Sequence, residues 1–117
     1  MMTKEKLKAE ILKTIEAEGE ICVNGIVKLC RRNHARWRGT ERIAVNGYPN
    51  AILLMDVSEL ICEAIMELRR EQKIIADPSW EHMTEDEPYF DLPRGDYLVP
   101  YDRPYWVPVV FRLKSEP

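Results

Sequence analysis

Five arginines crowd one short stretch of this chain: Arg31, Arg32, Arg36, Arg38 and Arg42, with Trp37 held between two of them. A guanidinium can grip a phosphate through two parallel N–H donors. An exposed indole can stack on a base or wedge into a groove. Arg31, Arg32, Arg36, Trp37, Arg38 and Arg42 are therefore the candidate nucleic-acid-binding residues. A second reading uses the same residues differently: Trp37 covers the core, and the arginines are solvated or pair with acids elsewhere in the chain.

Those acids come later. Asp77, Glu81, Glu85, Asp86, Glu87, Asp91, Asp96 and Asp102 fall in a segment whose only base is Arg94. The basic and acidic blocks nearly cancel, so the net charge of −3 conceals them. Carboxylates repel phosphate and complement a basic protein. Glu59, Glu63 and Glu67 recur every four residues and form another acidic line. Glu59, Glu63, Glu67, Glu85, Asp86, Glu87 and Tyr89 are the candidate residues for a basic protein partner. The aromatics around them (Trp80, Phe90, Tyr97, Tyr101, Tyr105, Trp106) either anchor a long segment to the core or add to a protein-binding surface.

Other chemistry finds little support. Cys30 and His34 stand at i, i+4, and Cys22 precedes them, but no second ligand pair follows, and His82 is the only other histidine. No metal site is expected. There is no phosphate-cradling glycine loop, no GxSxG and no HExxH, so neither an enzyme nor a cofactor is expected.

The elements that position these residues can be read from periodicity. Leu7, Ile11 and Ile15, with Leu12 beside them, give a first helix capped by Thr3 and stopped at Gly19. Glu20 to Val23 reads as extended. Asn24 offers the N-cap of a second helix with Ile26, Val27, Leu29 and Cys30 on its apolar face. Asn46-Gly47 signals a tight turn of type I′, in which both central residues take positive φ, and a small hairpin or ordered loop fits around it. Pro49 argues against a long strand after that turn. Val57, Leu60, Ile61, Ala64, Ile65 and Leu68 form an unbroken stripe for a third helix. Asp56 with Glu59 resembles its capping box, and Asn50 offers an earlier start that would draw Ile52 to Met55 into the helix. Lys73 to Ala76 reads as a strand, and Trp106 to Leu113 as a returning strand that Pro108 places at an edge or a bulge. Arg94-Gly95 could form a tip between them.

Size and composition set outer bounds. A chain of 117 residues with 45% hydrophobic and 32% charged residues suits one soluble domain. The longest apolar run, Ala51 to Met55, is far too short for a spanning helix, so no membrane partner is expected. Three cysteines without paired spacing fit a reducing compartment, and Met1 to Glu5 lacks a secretory pattern, so a cytoplasmic location is expected.

Two stretches in this order resemble the winged-helix variant of the helix-turn-helix superfamily. Gly19-Glu20-Ile21-Cys22-Val23-Asn24-Gly25-Ile26 is similar to the family's bend from first helix through short strand into second helix. Val57-Ser58-Glu59-Leu60 through Glu71-Gln72-Lys73-Ile74-Ile75 is similar to its third helix running into the wing, and Val110 to Leu113 to the closing strand. The resemblance implies an α+β fold of three helices and a short antiparallel sheet across residues 1–117. Two departures accompany it: a long inter-helix insertion at about 35–56 and an extended acidic wing at about 77–105. It also implies duplex DNA as partner, with the third helix in the major groove and the wing along the backbone; some members bind protein or RNA instead.

Here the solvent face of the third helix would carry Ser58, Glu59, Cys62, Glu63, Met66, Glu67 and Arg70, a poor reader of DNA because three carboxylates line it. Three functions follow. The family implies a small DNA-binding transcription regulator, a homodimer on a two-fold operator, gripping phosphate through the basic insertion. The acidic residues favour a protein-binding winged helix that blocks a basic or nucleic-acid-binding partner, as a phage-type inhibitor such as an anti-CRISPR protein would. The third is an oligomer whose two charged blocks meet head to tail.

Overall fold

The computed structural model describes residues 1–78, 92–95 and 99–114. Glu81, His82, Glu85, Asp86, Glu87 and Tyr89, with most of the expected acidic wing, lie outside the described residues.

Helix α1 spans Lys4–Glu18, with the Thr3 hydroxyl accepting the Lys6 N–H at 3.1 Å and Gly19 closing it at φ 88°. Leu7, Ile11 and Ile15 are buried. A two-residue strand, β1 (Ile21–Cys22), follows, and α2 occupies Val23–Arg32. Its N-cap is Cys22, whose thiol accepts the Gly25 N–H at 3.3 Å, not Asn24 as the sequence suggested. The helix starts earlier because Cys22 stays extended to pair with Val110 and its thiol then faces the first turn.

The insertion keeps the turn expected at Asn46-Gly47 but is longer than the small hairpin or ordered loop expected around it. It forms a β-hairpin of β2 (Arg38–Val45) and β3 (Tyr48–Val57). The turn falls at Asn46-Gly47, but only Gly47 takes positive φ (82°), so it is not the expected type I′. The long strand after Pro49 also overturns expectation. Pro49 falls in a register break between the Val45↔Tyr48 and Ala44↔Ile52 pairs, where the ladder to β2 needs no N–H from it. Ile52 to Met55 is strand, not an early turn of helix. Ala51, Ile52, Leu53 and Leu54 are all buried, the pattern of a strand covered on both faces. Leu53 and Leu54 join the helical core, and Met55 packs with Trp106 and Leu92.

Helix α3 (Glu59–Arg70) is capped by Ser58, whose hydroxyl accepts the Ile61 N–H at 3.3 Å. Asp56 is not the cap. It stands in β3 with φ 57°, at one of the irregularities where β3 slips against β2. Ile61, Ala64, Ile65 and Leu68 are wholly buried, as their spacing predicts, while Cys62, expected on the solvent face, is 6% exposed.

Strand β4 (Ile74–Pro78), strand β5 (Tyr105–Trp106) and strand β6 (Val109–Leu113) complete the described fold. The single returning strand expected from Trp106 to Leu113 is split at Val107-Pro108. Its two halves serve different sheets. One sheet runs β1-β6-β4, with β6 in the middle and antiparallel to both neighbours. The other runs β2-β3-β5, with β5 parallel to β3. Pro108 therefore marks a switch between sheets, not an edge or bulge. The described residues thus form a small α+β fold of three helices and two small sheets.

Arg94-Gly95 is not a tip. Gly95 is buried, and its N–H donates to the Trp106 carbonyl at 3.0 Å. A Cβ at Gly95 would fall inside the Tyr105 ring, so only glycine allows this approach. Val107 N–H donates to Ile52 O at 2.9 Å and Asn50 Nδ2 to Tyr101 O at 2.9 Å. These bonds tie the long excursion to the insertion.

Charge joins α1 to α3. Lys8 lies among apolar neighbours and is only 6% exposed. Its ammonium donates to Glu67 at 2.7 Å and Glu71 at 3.2 Å, and Lys4 reaches Glu67 at 2.8 Å. Hydrogen bonds from Lys4 and Lys8 hold the Glu67 carboxyl down at about 2, and the Glu67 bond pushes Lys8 upward. Because Glu67 titrates below the ordinary 4.5, its pairing supports the fold fully above that pH and is lost as pH falls toward 2. Glu67→Gln is expected to lower urea stability at neutral pH and to remove most of the acid-side slope between pH 4.5 and 2. A variant with an unchanged acid limb, measured by urea unfolding at stepped pH, would contradict this account.

Candidate functional site

The arginine block is built from the end of α2, a short linker and the first strand of the hairpin. Arg31 and Arg32 occupy the last turn of α2, where cations complement the helix dipole. The helix closes with a Schellman arrangement: Ala35 N–H donates to Cys30 O at 2.8 Å and His34 N–H to Arg31 O at 3.1 Å. His34 carries the left-handed residue of that motif at φ 56°. Its role is in the backbone, and its side chain is exposed while Cys30 is buried. Among the described residues no group of His, Cys, Asp and Glu could hold a metal ion.

The linker then crosses the start of α3. Trp37 O accepts the Ser58 N–H at 2.8 Å. Gly39 lies flush against the opposite chain, where an added Cβ would stand 2.5 Å from Val57 O and 2.8 Å from Ser58 Cα. The Trp37 ring is half-buried against the core, and the Arg38 guanidinium lies 4.7 Å from its centroid. Trp37 is thus a core and stacking residue, closer to the second reading of it than to an open platform for bases. Arg36 Nε donates to Arg38 O at 3.2 Å, which engages that nitrogen while the residue stays exposed.

Arg31, Arg32, Arg36, Arg38 and Arg42 are all exposed, and among the described residues none of them forms an ion pair. Where acids of the later block are described, Asp77 pairs with Arg112 at 2.9 Å instead.

The acidic line of α3 divides. Glu67 is committed to Lys4 and Lys8, so it does not offer a free carboxylate to a partner. Glu59 and Glu63 remain exposed. Glu41 on β2 joins them: burial pushes the Cys62 thiol up, with added repulsion from Glu41, Glu63 and Glu59. Burial likewise pushes Cys30 up to about 11. Both thiols are therefore packing groups, not nucleophiles.

Between the arginine linker and α3 lies an open cleft of about 780 Å³. Arg36, Arg38 and His34 line it together with Glu41 and Glu59, and Met2, Ala35 and Leu60 supply apolar wall. Sequence reasoning identified the arginines but not the cleft. Glu41 went unweighted because it was the lone acid of a basic stretch, and its position opposite Glu59 depends on the hairpin.

Two backbone-dependent positions support this geometry. Gly39→Ala is expected to destabilise the protein by about 1–3 kcal/mol, because the atoms it meets are backbone and cannot swing aside. His34→Gly is expected to be neutral or stabilising, and His34→Val to cost about 1–2 kcal/mol. Urea unfolding of the three variants checks both; a Gly39→Ala protein as stable as its parent would show that the close approach is not required.

No protein-family model, curated protein or solved structure matches the chain.

Proposed function

We propose that this protein is a small winged-helix-type module that binds nucleic acid through the phosphate backbone, using the arginine ridge of α2 and β2 in place of its third helix. The observation that carries the reading is the set of five exposed arginines without ion pairs among the described residues, mounted on adjoining, well-braced elements. With the β2–β3 hairpin and β5 set aside as additions, the remaining order α1, β1, α2, α3, β4, β6 supports the winged-helix reading, as does the sheet with β6 in the middle.

The third helix is a poor alternative surface. Glu59 and Glu63 face solvent on it, and the Trp37–Gly39 linker lies across its first turn, where a major-groove reader would enter. The ridge has no such obstruction. Arg36 is oriented by its bond to the Arg38 carbonyl and Arg38 by stacking on Trp37, so little side-chain freedom is lost on gripping phosphate. A regulator that pairs two copies on a two-fold operator would present two such ridges.

One observation favours a second reading, a protein-binding module for a basic partner. Met66 is 45% exposed and lies one helical turn beyond Cys62, close to Glu63, which forms no ion pair among the described residues. An apolar side chain beside free carboxylates suits a basic, partly apolar protein surface.

The two readings separate in a binding titration across salt. The nucleic-acid reading expects log K to fall steeply with log salt. It expects Arg36→Ala with Arg38→Ala to weaken binding and flatten that slope by about 2. Absence of binding at low salt, or a slope unchanged in the double variant, would sink it. Glu63→Lys would strengthen nucleic-acid binding but weaken capture of a basic protein.

A further inference from the structure

The cleft beside the ridge has a composition that phosphate binding alone does not explain. Its lining is mixed: Arg36 and Arg38 are cationic, Glu41 and Glu59 anionic, and Met2 and Leu60 apolar. A duplex presents only phosphate and sugar to a surface of this kind, and carboxylates set beside arginines weaken that contact. An unpaired nucleotide presents all three chemistries at once: a phosphate, a flat apolar base face and an edge with N–H donors.

We infer that the cleft takes a single unpaired nucleotide of a nucleic-acid strand and prefers guanine. This rests on the nucleic-acid reading of the arginine ridge and names what the same site recognises. The terminal nitrogens of Arg36 hold the phosphate, since Nε is already donated to the Arg38 carbonyl. Arg38, stacked on Trp37, supplies a second guanidinium at a defined height above the indole. The base lies against Met2 and Leu60, where a thioether and a branched alkyl chain offer soft contact to a π face. Its Watson–Crick edge faces the carboxylates.

Guanine is selected by the donor count. A carboxylate is acceptor-only when ionised and accepts two parallel hydrogen bonds. Guanine alone among the four bases places two adjacent donors, the ring N1–H and the exocyclic N2 amino group, on that edge. Adenine and cytosine offer one amino group beside an acceptor that the carboxylate would repel, and thymine offers one donor between two acceptors. The cleft's size suits a ligand of this class.

The test uses fluorescence anisotropy on the whole protein with short oligothymidylates carrying one central guanine, inosine, adenine or thymine, and with a duplex of the guanine strand. The guanine strand is expected to bind about tenfold more tightly than the others. Inosine, which lacks only the exocyclic amino group, should lose most of that margin. The duplex should bind without the guanine advantage. Glu41→Gln with Glu59→Gln should erase the preference for guanine while raising affinity for the thymine strand, because two negative charges leave the cleft. If the carboxylates merely repel phosphate, the variant would instead bind all strands more tightly by one common factor, and the inference fails. Equal affinity for all central bases, or tighter binding of the duplex, also overturns it while leaving the arginine ridge intact. No binding to any probe overturns both. Circular dichroism of the double variant confirms that a lost preference is not lost folding.

Discussion

The backbone clasp between Trp37–Gly39 and Val57–Ser58 is the contact on which the rest of the molecule turns. It is made of one amide hydrogen bond and one glycine with no room for a side chain. By holding the two ends of the insertion together, it sets where β2 begins, how α3 enters and where the arginines emerge. Ser58 serves it twice, donating its amide to Trp37 and accepting the Ile61 N–H at its hydroxyl. The same serine thus ends the hairpin and starts the helix. A side chain at position 39 would force these roles apart, since nothing on the facing strand can rotate away.

The two long departures from a simple three-helix module prove to be one structure. The insertion supplies β2 and β3, and the excursion returns to supply β5, so each covers what the other would leave open. Without β5, Ile52 and Met55 would lose cover; without β3, Tyr105 and Trp106 would lose their strand partner, and Trp106 its contact with Met55. The two segments are far apart in sequence and have meaning only together. Of the acidic block, Asp77 is held by Arg112 on the first sheet, while Arg38 and Arg42 of the ridge stand on β2 of the second.

Helices α1 and α3 were legible because their apolar residues repeat at the helical period, and α1 also because Thr3 and Gly19 cap it locally, whereas the cap of α3 is Ser58 and not Asp56. The insertion was legible only at its Asn46-Gly47 turn, not in the length of its strands. Ala51 to Met55 is a continuous apolar run, which suits a buried strand and a buried helix equally, and only burial on both faces decides between them. Pro49 misled because a proline disqualifies a strand only where its missing donor is needed. The burial of Lys8 was not legible, because nothing in its sequence neighbourhood shows that Glu67 and Glu71 come to meet it. The arginines were legible as a group, from type and density. Their orientation by Trp37 and Arg38 O, and the facing carboxylates, were not, because they arise from a hairpin whose register slips at several points.

The parallel pairing of Ile52 with Trp106 also constrains time. The bond from Val107 to Ile52 closes a loop of about half the chain, and such contacts form late because the entropy of closure must be met before any partner rewards it. During synthesis, α1 and α2 emerge early, while the second sheet waits for the residues around Trp106. The frame beneath the arginines is therefore completed only once the residues around Trp106 are free to pair with β3. Until then β3 carries its apolar residues without their cover, so the growing chain passes through a stage in which its most aggregation-prone strand is made but not yet matched.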